Sequence, residues 1–116
     1  MMPGHPPVLV AGDVMLDYTV ELAAGEHDEK RDVVASATAP GGTAANTAAA
    51  LVLLGVPVML AATVGDDCAG RECLSHLAVL GVDTTHVAVR PGPTGRATIV
   101  VDGPNRHVYV DRGVSD

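Results

Sequence analysis

The apolar residues of this chain fall into short unbroken runs divided by glycine, proline and polar punctuation. Val8 to Gly12 (VLVAG) is one such run, ending in Gly. A continuous apolar run of this length reads as a central strand of a parallel sheet, buried on both faces. From Val33 to Gly65 no residue is charged. Within that stretch Pro40-Gly41-Gly42 marks a turn, and Thr43 to Leu54, rich in Ala and Leu, predicts a helix. Gly55 suits the residue just past the helix end, and Pro57 prevents continuation. Val58 to Val64 predicts a second buried strand. Strand, helix and parallel strand together imply a right-handed crossover. Asp66 or Asp67 can cap a further helix running to Leu80, with Gly81 ending it. Cys73, Leu74, Leu77 and Leu80 give that helix one apolar face. Thr85 to Val89 predicts a third core strand.

The other strand-like runs are organised differently. They lie near Tyr18, over Val33–Ala39 with weak alternation, and over Arg96–Val101 and His107–Asp111. No helices separate them. The last two flank Asp102-Gly103-Pro104-Asn105, a hairpin turn by composition. Glu21 to Asp32 is charged and irregular, with Gly25 as a turn, and Pro91-Gly92-Pro93 is a break. The chain therefore reads as α/β: a parallel core, and a second, small sheet. The charge-free stretch imitates a membrane span in a hydropathy window. Gly55, Pro57 and the 40–42 turn cut it into pieces shorter than the ~20 apolar residues a span needs. The opening MMPGHPP has no basic residue and does not read as a signal peptide, so a cytoplasmic location is expected.

Composition narrows the function classes. A length of 116 residues fits one domain with a real core. The 47% apolar fraction is almost all Ala, Val and Leu; Phe and Trp are absent, and Tyr18 and Tyr109 are the aromatics. The net charge of −7 and the missing aromatic platforms exclude single-strand nucleic-acid binding. Cys68 and Cys73 have neither a redox C-x-x-C spacing nor enough partners for zinc. They read as small buried or half-buried thiols in a reduced cytosol. There is no G-x-G-x-x-G or Walker-type loop. The five His show no metal-ligand spacing, with His76 expected on a helix surface and His107 on the small sheet. Arg96 and Arg112 read as solvated charges.

Two places carry candidate chemistry. Asp13 and Asp17 lie just past the C-terminal end of the first strand, where open α/β sheets bind ligands. Asp13 is read as a turn stabiliser through side-chain to backbone bonding. The second place is Gly41-Gly42 with Asn46. Glycine lets backbone approach a ligand closely, a helix start offers free N–H groups, and Asn both donates and accepts. The plain structural alternative is a glycine-rich helix entry with Asn46 on a solvent face and Asp17 in a solvated turn.

The run Gly41-Gly42-Thr43-Ala44-Ala45-Asn46-Thr47-Ala48, then Gly55, then Gly65-Asp66-Asp67 and Gly70, preceded by VLVAGDVMLDY, resembles the first signature of the ribokinase-like (PfkB) sugar kinases. The similarity covers Val8 to about Gly113. It implies a ribokinase-like α/β fold, three-layered with a parallel core sheet, partial here. A small β-sheet lid would cover the sugar and carry dimer contacts. Residues 1–116 would form the N-terminal part of the kinase domain, with core segments at about 8–16 and 41–90 and lid segments at about 17–40 and 94–112. The implied activity is ATP-dependent phosphorylation of a sugar hydroxyl. Asp17, Gly41, Gly42 and Asn46 would bind a small-molecule sugar, ATP and Mg2+ would be the cofactors, and the lid would support a homo-oligomer.

Met15 and Thr43 stand where ribokinase carries a polar sugar contact and a lysine, so the resemblance leaves the sugar open. GDVMLD also resembles the opening of bacterial heptose-phosphate kinases. Such kinases run to roughly 300 residues, near the upper size of a single core. They carry the base and the anion cradle on a Gly-Ala-Gly-Asp turn at a helix start. No such turn occurs in these 116 residues. The expectation is a sugar-binding half, a fragment or a truncated gene product, with the catalytic base and ATP-binding part beyond Asp116, and no activity alone. The alternative is a non-catalytic α/β binding or oligomerisation module; a nucleoside kinase is a variant of the first reading.

Overall fold

The computed structural model describes residues 4–25 and 30–115. Their elements are, in order, β1 (Val8–Ala11), β2 (Met15–Leu22), β3 (Val33–Gly41), α1 (Thr43–Leu53), β4 (Val58–Ala61), β5 (Thr63–Gly65), α2 (Cys68–Leu80), β6 (Ala88–Arg90), β7 (Arg96–Asp102), β8 (Asn105–Asp111) and a 3-10 turn at Gly113–Ser115. No described helix is long and apolar enough to cross a membrane.

β1 lies parallel to β4, from Val8 opposite Val58 to Ala11 opposite Ala61. β5 lies parallel to β6, from Thr63 opposite Ala88 to Gly65 opposite Arg90. The single strand expected over Val58–Val64 is therefore two. The alternation of Val58, Leu60, Ala62 and Val64 toward the core continues across the break. What changes is the neighbour. The Gly12 amide ends the β1 ladder on Ala61 O at 3.1 Å, and the Ala88 amide opens the β6 ladder on Ala62 O at 2.9 Å. The third core strand also begins later than Thr85. The Asp83 carboxylate accepts from the Thr85 amide at 3.0 Å and its hydroxyl at 2.7 Å. This local bonding competes with the ladder and folds the approach to β6 into a turn.

The core is made where alternation points inward. Val10, Val58, Leu60 and Val64 pack with Ala44, Ala45 and Ala48 of α1 and Ala69, Cys73 and Leu77 of α2. The alanine face of α1 lets the helix lie close to the strands. On the opposite face Leu9 is 59% exposed. The described residues thus build the sheet and one helical layer. α1 is capped by Leu54, followed by Gly55 at φ +85°, and α2 is capped by Gly81 at φ +104°. Both follow the glycine-at-helix-end rule.

The second sheet has the order β3-β2-β7-β8. β2–β3 and β7–β8 are antiparallel hairpins, joined by a parallel β2–β7 pairing from Leu16 opposite Arg96 to Glu21 opposite Val101. The β7–β8 turn is tighter than the four-residue reading. Asp102 and Asn105 are paired, leaving Gly103 at φ +57° and Pro104 as a two-residue turn. Arg31 bridges the two hairpins. Its guanidinium donates to Asp102 at 2.9 and 3.1 Å and to Ala23 O at 2.5 Å. The irregular reading of Glu21–Asp32 is shortened by β2, which reaches Leu22, and residues 26–29 of it lie outside the described ones.

Candidate functional site

β1 ends at Ala11, and β2 starts four residues later as the first strand of the second sheet. Asp17 stands on β2 opposite Ala39 and Ala97, beside this junction. It is half-buried. Its carboxylate lies over the α-carbon of Gly41: a methyl group built there would come within 2.2 Å of the Asp17 carboxyl carbon. Gly41 is thus glycine because the Asp17 side chain occupies the space a Cβ would need. Burial raises the Asp17 pKa above the ordinary carboxylate value, and the nearby positive charge of Arg106 lowers it in part. The Asp17 carboxylate makes no hydrogen bond among the described residues. A desolvated carboxylate without donors is an open acceptor.

Gly42 serves the helix. At φ +89° it adopts a backbone that favours glycine, and a Cβ would come within 2.5 Å of the Asp13 carbonyl oxygen. That carbonyl accepts from the amides of Ala44 at 3.2 Å and Ala45 at 3.4 Å. The start of α1 is therefore capped by distant backbone, and two of its amides are already engaged. Asp13 does stabilise this turn, through its carbonyl rather than its side chain. Its carboxylate pairs with Arg112 at 3.6 Å, so Arg112 is not simply a solvated charge. Asn46 is exposed on the first turn of α1, and its amide closes the first helical bond on Gly42 O at 3.0 Å. The glycine pair so brings Asp17, Asp13 and the α1 start to one junction. The space a Cβ would take at each glycine is filled by the Asp17 carboxylate and the Asp13 carbonyl.

The Gly65-Asp66-Asp67 and Gly70 part of the pattern builds a knot that sequence reading treated only as a helix cap. Asp67, not Asp66, caps α2, accepting from the Gly70 amide at 3.0 Å. It also accepts from the Thr94 amide at 3.0 Å and the Thr94 hydroxyl at 2.5 Å. The Gly65 amide donates to the Thr94 hydroxyl at 2.9 Å, and the Gly92 amide to Asp66 at 3.1 Å. Burial opposes ionisation of Asp67, but the bonds from Thr94 and Gly70 outweigh it and hold its pKa below the ordinary value. A Cβ at Gly65 would meet the Gly92 carbonyl at 2.1 Å, and one at Gly70 the Gly65 carbonyl at 2.3 Å. The knot fixes the loop that launches β7, and β7 pairs with β2, which carries Asp17. Thr94 was legible only as a residue beside Pro93 and Gly95.

Cys73 is fully buried, and burial, aided by the charges of Glu72, Asp17 and Asp67, pushes its thiol up to about 11. Cys68 is exposed at the start of α2, unlike the buried or half-buried thiol expected. No group of three metal-ligating side chains occurs among the described residues.

An α/β core with a four-stranded sheet at the strand ends is the ribokinase-like fold. The ribokinase of Arabidopsis thaliana, solved with ribose and ATP, superposes with a TM-score of 0.78 at 26% identity over 92% of this chain and 36% of that one. The chain belongs to the pfkB family of carbohydrate kinases, whose model matches residues 7–116. It is 31% identical over 112 residues to the bifunctional protein HldE of Wolinella succinogenes, covering 92% of this chain and 24% of that protein. It is 39% identical over 77 residues to the 2-dehydro-3-deoxygluconokinase of Thermoproteus tenax, covering 62% of this chain and 24% of that enzyme. The chain thus spans about a quarter of the length of these curated relatives.

Proposed function

We propose that these residues form the acceptor-binding part of a kinase that transfers a phosphoryl group from ATP to a hydroxyl of a sugar. The observation that carries this reading is Asp17, half-buried, with its pKa raised by burial and no hydrogen-bond donor among the described residues. A pair of adjacent hydroxyls supplies the missing donors, and bonds to an ionised acceptor are the stronger kind. Gly41 holds open the place where the carboxylate stands. Gly42 and Asn46 set the start of α1 beside it, with the Asn46 amide as a further donor and acceptor for the ring. ATP with Mg2+ supplies the transferred group when bound. These residues contribute the other half of the reaction, which is positioning: a sugar held by two hydroxyls has its remaining hydroxyls fixed in direction. Ribose and ATP in the Arabidopsis ribokinase, and the substrate named for the Thermoproteus enzyme, are in keeping with a sugar at this place. The four-stranded sheet is read as a lid that also joins two copies.

The test is Asp17→Asn in the complete kinase. Sugar affinity by calorimetry should fall by about 1.5–3 kcal/mol, the scale of one charge-assisted hydrogen bond, while ATP affinity stays unchanged. Unchanged sugar affinity would remove Asp17 from the site.

A further inference from the structure

Thr94 is the one buried polar side chain among the described residues, 4% exposed. A buried hydroxyl costs free energy unless it is paired, and a valine would fill the same space without that cost. Here the hydroxyl is paired twice. It accepts from the Gly65 amide at the end of β5 and donates to the Asp67 carboxylate at the start of α2. The backbone around it is held as well. The Thr94 amide donates to the second Asp67 oxygen at 3.0 Å, and the Pro93 carbonyl accepts from the Val114 amide at 2.9 Å. A Cβ built on Gly95 would come within 2.8 Å of the Arg112 carbonyl and of the Met15 and Ser115 side chains. The Gly95 carbonyl leaves this fixed segment and accepts from the Leu16 amide at 2.8 Å. Leu16 is buried in the core, and Asp17 follows it on β2. From Thr94 to Asp17 the path is thus two peptide bonds and one hydrogen bond. The other side-chain tie from lid to core, Thr38 to Glu72, is exposed and longer at 3.3 Å.

Resting on the sugar kinase reading above, we propose that Thr94 is a positioning residue for the acceptor: its hydroxyl locks the start of β7 to the ends of β5 and α2, and so sets where β2 holds the Asp17 carboxylate. Thr94 is buried and touches no acceptor itself. What it controls is distance. A binding carboxylate has to be held within about 0.5 Å of its productive place, and the groups behind it decide whether it is. Without the hydroxyl, the Gly65 amide loses its acceptor and the Asp67 carboxylate loses one of its donors. The strand that carries Asp17 then gains freedom relative to the core, while both hairpins of the lid stay paired.

The experiment is a double-mutant cycle in the complete kinase, read by coupled ADP release. Ribose, fructose, 2-dehydro-3-deoxygluconate and a heptose phosphate are the acceptors tried, and the one with the lowest KM in the wild type is carried forward. Thr94→Val should raise the KM for that acceptor about 10-fold, the scale of one lost buried hydrogen bond, with kcat and the KM for ATP nearly unchanged. Thr94→Ser, which keeps the hydroxyl, should restore most of it. In an Asp17→Asn background Thr94→Val should add little, because the group it positions is already altered. Thermal melting checks that each variant is folded at the assay temperature. A folded Thr94→Val with unchanged acceptor KM would overturn the proposal by making the hydroxyl a matter of stability alone. An equal rise in both backgrounds, or a rise in the KM for ATP alone, would overturn it by detaching Thr94 from Asp17. Each of these leaves the sugar kinase reading intact. Should Thr94→Val fail to fold, Asp67→Asn goes through the same cycle and the same outcomes decide. Absence of ADP release with every acceptor would overturn the kinase reading itself, and the proposal with it.

Discussion

At Asp17 burial and binding pull in opposite directions. Desolvation raises its pKa, so the folded chain bears a penalty whenever the group is ionised. A folded-state pKa above the unfolded one means stability is fullest below the unfolded value and is lost as pH rises through the folded value. Asp17→Asn, which has no charge to desolvate, should therefore melt slightly higher than the wild type at pH 7, with the difference vanishing near pH 3. A variant that melts lower at pH 7 would show that Asp17 serves the fold. Asp67 is the opposite case. Its pKa is lowered by Thr94 and Gly70, so its contribution is present at neutral pH and lost as pH falls through the lowered value. Asp67→Ala removes a helix cap and leaves the buried Thr94 hydroxyl without its acceptor. The expected loss at pH 7 is about 2–4 kcal/mol by urea melts, converging with the wild type in acid. From sequence these two carboxylates look alike, each just past the end of an apolar strand. Only the donors around them set them apart.

At the scale of elements, what was legible depended on whether the cause is local. The α1 helix, its end at Gly55 and the cap-to-Gly81 span of α2 follow from residues within a few positions of each other. The separate sheet was legible too, because its strands have no helices between them. The start of α1 at Thr43 was legible from the turn before it, but its cap was not, since that cap is the carbonyl of Asp13, thirty positions away in the chain. The break at Ala62 was not, because a change of partner leaves the apolar alternation untouched. Arg106, whose charge reaches Asp17, was missed for the same reason: its face is set by two successive registers, β2–β7 and β7–β8, neither written in its neighbours. The lid also leaves β8 as an edge, with Val108 52%, Tyr109 63% and Val110 52% exposed. An unpaired edge carrying apolar side chains invites a second copy. The complete kinase should sediment as a dimer, and Tyr109→Lys should shift it toward monomer. A wild type that stays monomeric at high concentration would refute this.

At the scale of the whole chain, the core strands, the four-stranded sheet and the helices meet at one junction. They place a carboxylate on β2, beside the end of the core strand β1, hold it between β3 and β7, and tie the lid to the core through the Asp67–Thr94 knot and the Thr38–Glu72 bond of 3.3 Å. One face of the core sheet is covered by helices, and Leu9 on the other is open. Phosphoryl transfer needs, besides a positioned hydroxyl, a base to take its proton and donors aimed at the charge that develops on the transferring group. The Gly-Ala-Gly-Asp turn that would carry both in the family does not occur in this sequence. Removing one such donor alone costs about 10²–10³ in rate. Purified as these 116 residues, the chain should bind a cognate sugar weakly, through Asp17, and release no ADP. The check is a coupled assay over neutral and anionic sugars, with mass spectrometry for the sugar phosphate. Turnover that tracks the protein through purification, and disappears in Asp17→Asn, would place the catalytic base within residues 1–116 and overturn the division of labour argued here.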